Sequence, residues 1–355
     1  MTILAFGLVV YAAGTARATS SDLLLFWGTK GQRFAQAGAI DVGFLRQPDH
    51  LLMHSDYPPM LPCLFAWATL TAGRFAWGAA LLTLPLFLSL AAISFFGFAR
   101  PALGLRSASE CTALLVALIG FVMIDTFMAG NADPLLAYFE ILALSALTFG
   151  SGKAGEDVAA AAGLAAAVLT KVEGTVFAAL LIGSFLLFGE GRSRWRRAAA
   201  MGAPAAVALI AWIAFCRKNG LTSIYSLSSQ RPATITHLSV VVSGLLREGS
   251  YGAAYIPWFV VVVLGFRWRD TASTRMNVAV AVGFLGFVLY MYLTSPTDPR
   301  LWIIWSASRL LLTPLVSIFF AAMASHIPRG VGASTLSPEI GLPSRGDGEA
   351  SISGR

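Results

Sequence analysis

Residues 75–98, FAWGAALLTLPLFLSLAAISFFGF, carry no acidic, basic or histidine side chain. About 20 apolar residues in a helix cross the hydrocarbon core of a bilayer, so this stretch is long enough to span one. The chain around it has the same character. Of its 355 residues, 57% are apolar and 12% charged, and the mean hydropathy is +0.72. A soluble domain carries about 25% charged residues. The composition excludes a soluble enzyme, a disordered chain and a fibrous protein. It predicts an all-α, polytopic membrane protein whose solvent is largely lipid.

Working outward, the hydropathy pattern predicts about ten spans: 2–16, 75–98, 109–128, 134–150, 158–170, 172–188, 198–216, 251–266, 276–294 and 310–325. The pair 158–170 and 172–188 reads as two short spans or a re-entrant hairpin. Residues 2–16 are short for a span. Ala16-Arg17-Ala18 matches a signal-peptidase pattern, but no basic segment precedes it. Residues 58–73, PPMLPCLFAWATLTAG, are apolar, too short to cross and led by prolines, which predicts a helix lying at the interface. The Ala-rich run 159–168 suits close helix packing in lipid.

The net charge of +7 follows from basic loops, since cytoplasmic loops of membrane proteins collect Lys and Arg. It does not call for nucleic acid as a partner. Arg100, Arg106, Lys153, Arg192, Arg194, Arg196, Arg197, Arg267, Arg269 and Arg275 fall on one side with the C-terminal tail. That side is denser in positive charge and is predicted to be cytoplasmic. The opposite, outward side carries a loop at 17–74, GNADP at 130–134, TKVEG at 170–174, a second loop at 217–250 and TSPTDPR at 294–300. Residues 1–325 form the membrane module, and 326–355, rich in Gly, Ser and Pro, read as a disordered tail. Cys63, Cys111 and Cys216 are widely spaced in apolar runs and read as small buried hydrophobes.

The ionisable residues of the outward side are the candidates for chemistry. In SSDLLLFWGTKGQ, helical spacing brings Trp27 and Lys30 together with Asp22 near the helix start, where an acid is also favoured by the helix dipole alone. In HSDYPPMLP (54–62), Asp56 either caps the following helix or acts chemically, with Tyr57 beside it. Asp49, His50, His54 and Asp56 form a weak divalent-metal pattern. Asp133 precedes Pro134 and either caps its helix or belongs to a site. Asp125 and Glu140 lie on adjoining spans, and acids at membrane depth usually face a cavity or a partner. Lys171 and Glu173 share a tight turn, where the lysine either pairs with the glutamate or meets a phosphate. Arg309 starts the last predicted span and is either a snorkelling anchor or a functional cation.

The order of these motifs resembles a known family. An acid with Trp and Lys follows the first span, D-YPP-LP precedes an interfacial helix, then come G-x-AD-P-L, TK-x-EG and S-x-x-R. This resembles the GT-C superfamily of integral-membrane glycosyltransferases, in the branch of bacterial relatives of protein O-mannosyltransferases and of lipid A aminoarabinose transferases. The resemblance covers about residues 1–325. It implies a polyprenyl-phosphate-linked sugar donor and transfer to a glycan, lipid or protein acceptor on the outer face of the bacterial cytoplasmic membrane. Asp22 matches the first-loop acid, a general base or acceptor-positioning group, and Asp133 the second-loop acid. Lys171 and Arg309 match cations suited to the donor phosphate. Asp56 joins the candidate catalytic acids, Lys30 the candidate phosphate-binding cations, and Trp27, Tyr57 and Glu173 the candidate pocket. Two departures stand out: Val172-Glu173 follows the TK lysine, and Leu301-Trp302-Ile303-Ile304 replaces a run in which relatives often carry a histidine.

The residue types suit the implied chemistry. Glycosyl transfer from a phosphate needs a base for the acceptor proton and positive charge on the departing phosphate. A single displacement of this kind inverts the anomeric centre. The alternative for a chain with many spans and buried acids is a secondary transporter or flippase.

Overall fold

A backbone in lipid must satisfy its own hydrogen bonds, and among the described residues all regular structure is helical. The computed structural model describes residue 7 and residues 22–47, 54–75, 83–123, 130–191, 193–222, 237–251, 269–295 and 298–327. A π-helical turn, Leu23–Trp27, runs directly into α1, Gly28–Ala37. Then follow α2 (Val42–Leu45), α3 (Met60–Ala72), α4 (Thr83–Leu103), α5 (Leu105–Met123), α6 (Asp133–Phe149), α7 (Ala154–Thr170), α8 (Val172–Phe188), α9 (Arg194–Asn219), α10 (Leu238–Tyr251), α11 (Ala272–Thr294), α12 (Pro299–Leu310) and α13 (Leu312–Ala324). Four stretches, 85–103, 194–219, 272–294 and 299–324, are long and apolar enough to cross a membrane by length and composition. Of the ten expected spans, 2–16 and 251–266 lie outside the described residues apart from Gly7 and Tyr251. So do Asp49, His50, Asp125 and the tail beyond Ile327.

Helix α6 sits at the middle of the bundle, against α4, α7 and α13. Phe95 of α4, Phe149 of α6, and Phe319 and Phe320 of α13 pack edge-on and tilted, with ring centroids 5.5 to 6.0 Å apart. Lipid gives no hydrophobic push between helices, so close packing and interhelical hydrogen bonds hold them. Asn277 of α11 donates to Thr148 of α6 at 3.0 Å. Tyr292 of α11 and Ser306 of α12 share a hydrogen bond of 2.9 Å. The Ala-rich run lies within α7, which packs against both α6 and α9.

The pair expected at 158–170 and 172–188 forms two 17-residue helices, 154–170 and 172–188, joined at Lys171 and packed against each other. Two expectations change. The last predicted span, 310–325, begins earlier. Asp298 caps the helix by accepting from the Arg300 N–H at 2.9 Å, and the chain stays helical from Pro299 to Leu310. It breaks at Leu311 because Pro314 has no N–H for the Leu310 carbonyl and its ring crowds that carbonyl. Arg309 therefore stands in the last turn of α12, inside an apolar helix pair. It is not an anchor at a span's start. The short helix expected at 58–73 forms at 60–72, but its N-cap is Pro59 and Asp56 does not cap it.

Within α7, a Cβ placed on Gly163 would lie 2.8 Å from the Phe139 carbonyl oxygen of α6, whereas one on Gly155 meets nothing within 4 Å. Gly163→Ala is expected to destabilise the bundle by about 1–3 kcal/mol through overpacking. Gly155→Ala should leave stability unchanged or slightly raised, because alanine favours a helix. Thermal unfolding of the two variants in detergent measures the difference.

Candidate functional site

Five ionisable side chains from four segments meet at one end of the bundle. Asp133 opens α6, with Pro134 preset for the first turn. Its Oδ1 accepts from the Lys171 ammonium at 3.0 Å. Lys171 breaks the helix between α7 and α8 with an extended backbone, and its ammonium also lies 3.2 Å from Glu173 Oε1. Arg309 reaches in from α12. Its Nη1 donates to Asp22 Oδ2 at 2.5 Å and lies 3.9 Å from Asp133 Oδ2. Asn131 Nδ2 donates to the same Asp22 oxygen at 2.9 Å. Two further carboxylate oxygens, Asp133 Oδ2 and Glu173 Oε2, are buried and accept no hydrogen bond among the described residues.

The cluster grades from open to closed. The Asp22 side chain is 34% exposed and that of Arg309 21%, against 8% for Lys171 and 5% for Asp133. A ligand arriving from outside thus meets Asp22 and Arg309 first. Charges this far from water persist only when paired, and removing one partner of such a pair typically costs 3–5 kcal/mol.

The π-helical turn explains how Asp22 gets there. It interposes a widened turn between Asp22 and α1, burying Leu23 and Trp27. Gly130 lets the turn approach: its φ is +70°, and a Cβ there would lie 2.4 Å from Leu23 Cδ1.

Lys30 belongs to a neighbouring cluster. Its ammonium donates to the His54 carbonyl at 2.8 Å and stands 4.6 Å from the Phe26 ring and 5.4 Å from the Trp27 ring. The Trp27–Lys30 neighbourhood expected from helical spacing is present. His54 has a left-handed backbone, φ 46°, uncommon for a residue with a side chain. Its ring stacks on Tyr57 at 4.6 Å. Trp212 of α9 donates to the Asp56 carbonyl at 2.8 Å, tying the first loop to the bundle. Burial pushes the Lys30 ammonium down to about 7, against the pull of Asp56. Burial, with Lys30, Lys171 and Arg309 all in range, pushes the His54 imidazole down to about 3. Cations from both clusters therefore act on His54, which is neutral at ordinary pH.

Of the expected site residues, Asp22, Asp133, Lys171, Glu173 and Arg309 come together directly. Trp27, Lys30 and Tyr57 gather in the adjoining cluster, with Asp56 close enough to act on the Lys30 charge. Asn131, Trp212 and Thr313 were not singled out from the sequence; Glu140 was, without its partner. The signal for Asn131 was its place two residues before Asp133. Glu140 accepts from Thr313 at 2.9 Å, one turn beyond Arg309, and takes no lysine or arginine as partner among the described residues. Among the described residues, no three His, Cys, Asp or Glu side chains are grouped to hold a metal ion.

The fold is similar to that of a solved protein. The crystal structure of ArnT from Cupriavidus metallidurans bound to undecaprenyl phosphate matches with a TM-score of 0.53 and 17% sequence identity, over 90% of this chain and 59% of that one. This chain thus spans under two thirds of the matched chain's length. No family model matches, and no curated protein sequence matches. The likeness supports the GT-C-like fold expected from the motif order, in a multi-pass helical membrane protein.

The Lys30 shift gives stability a pH dependence. An unfolded lysine keeps its proton to about 10.5, whereas the folded one releases it above about 7. Between these values the unfolded chain binds more protons, so stability rises with pH across that window. Lys30→Met is expected to flatten this rise in thermal melts taken from pH 7 to 10. A slope equal to that of the wild type would show that Lys30 is not its source.

Proposed function

We propose that the chain is a membrane glycosyltransferase that moves a sugar from a polyprenyl-phosphate donor to an acceptor on the outer face of the cytoplasmic membrane. The observation that carries this is the meeting of Asp22, Asp133, Lys171 and Arg309, drawn from segments far apart in the sequence. The similarity in fold to a protein crystallised with undecaprenyl phosphate adds support. An isoprenoid tail would remain in lipid while its phosphate meets cations at the edge of the bundle.

The geometry suggests an order of events. Arg309, the more exposed cation, is held by Asp22. A phosphate that takes Arg309 releases Asp22 from its counter-ion. Asp22, freed and still accepting from Asn131, then accepts the proton of the acceptor hydroxyl. The hydroxyl oxygen attacks the anomeric carbon from the side opposite the phosphate. The carbon–oxygen bond to phosphate breaks, and its electron pair leaves on the phosphate oxygen beside Arg309 and Lys171. Asp133 holds Lys171 and faces Arg309, and so positions both cations. The product anomer is inverted.

Asp22→Asn and Arg309→Ala are each expected to slow release of sugar from a polyprenyl-phosphate-linked donor by about 10²–10⁴-fold. Product anomeric configuration by NMR checks the displacement; retention would reject it. Substrate flux in proteoliposomes, unaccompanied by sugar transfer, would instead favour a transporter.

A further inference from the structure

Glu173 has no part in the scheme above, yet it lies on the phosphate-binding lysine. Its Oε1 is 3.2 Å from the Lys171 ammonium, while Oε2 is buried and accepts no hydrogen bond among the described residues. Three carboxylates, on Asp22, Asp133 and Glu173, face two cations, on Lys171 and Arg309. When all five are ionised the cluster is one negative charge in excess. A lipid phosphate adds more negative charge in a place where water screens little. Lys171 can take a phosphate oxygen only if one of its carboxylates gives way.

The two carboxylates on Lys171 differ in how firmly they are held. Asp133 is short, fixed in the first turn of α6 beside Pro134, bonded to Lys171 at 3.0 Å and 5% exposed. Glu173 has a longer side chain, a longer contact and 14% exposure. Its position in the first turn of α8 suits an acid whether or not it touches Lys171, through the helix dipole, so little is lost when it turns away.

We propose that Glu173 is an affinity-setting residue that occupies the phosphate position on Lys171 in the empty site and competes with the lipid phosphate for it. The inference rests on the reading of Lys171 as a donor-phosphate contact. A phosphate monoester product carries more negative charge than the phosphodiester donor. Glu173 therefore opposes the product more strongly than the donor and returns to Lys171 as the lipid phosphate leaves.

The test is binding of undecaprenyl phosphate to the full chain in detergent, with undecaprenol, which lacks the phosphate, as the control ligand. Glu173→Gln is expected to bind undecaprenyl phosphate about tenfold more tightly than the wild type, since a charge-assisted contact no longer competes. Undecaprenol binding should not change. Glu173→Asp, which keeps the charge, should fall between the two, and thermal melts establish that both variants fold. In turnover, Glu173→Gln should lower KM and kcat together, with stronger inhibition by undecaprenyl phosphate. Equal or weaker phosphate binding by Glu173→Gln, with wild-type binding intact, overturns the role of Glu173 alone. An equal gain for undecaprenol also overturns it. Absence of lipid-phosphate binding in both wild type and variant overturns the proposed function with it.

Discussion

The ion-pair network of Asp22, Arg309, Asp133 and Lys171 is the constraint on which this end of the bundle depends. Each charge sits in or beside apolar helices and is tolerable there only because another meets it. Asp133 fixes the start of α6 against the α7–α8 joint through Lys171. Arg309 fixes α12 against the first loop through Asp22. Segments 38 and 287 residues apart are thereby held in register by four side chains. The same pairing that makes the cluster tolerable makes it responsive, because any anion that captures one cation leaves a carboxylate behind.

Around that network the packing leaves the Asp22 and Arg309 side chains partly exposed. Behind it, Glu140 and Thr313 bind α6 to α13, and the phenylalanines of α4, α6 and α13 fill the bundle. In front, the first loop folds over as the π-helical turn, α1 and α3. It is tied down by Lys30 on the His54 carbonyl and by Trp212 on the Asp56 carbonyl. A buried lysine bonded to a backbone carbonyl and flanked by aromatic rings is costly to keep charged, so this corner of the loop is sensitive to pH.

Chemistry that separates charge at a water–lipid boundary needs groups that are paired before the substrate arrives and can exchange partners afterwards. Arg309 and Asp22 meet that description by their exposure, and Lys171 and Glu173 by their looser contact. Asp133, buried and short, is the most enclosed carboxylate of the network.

The sequence by itself determined the all-helical membrane class, because long runs without charge have few other stable solutions in lipid. It also determined a short helix at 60–72, through its length and leading prolines, and the Trp27–Lys30 neighbourhood, through helical spacing. It pointed to Asp22, Asp133, Lys171 and Arg309 by motif order, but could not say whether any two of them touch. Local spacing carries no information about contacts between segments such as 22 and 309. The tertiary structure decided three things that local pattern could not. The π-helical turn, which Gly130 accommodates, decided where Asp22 points. The break at Leu311, set by Pro314 three residues later, decided that Arg309 lies within a helix pair instead of at its rim. The packing of α7 beside α8 decided that Lys171 is buried between two carboxylates, since a charge enclosed there must find its counter-charges among whatever side chains the fold brings within reach.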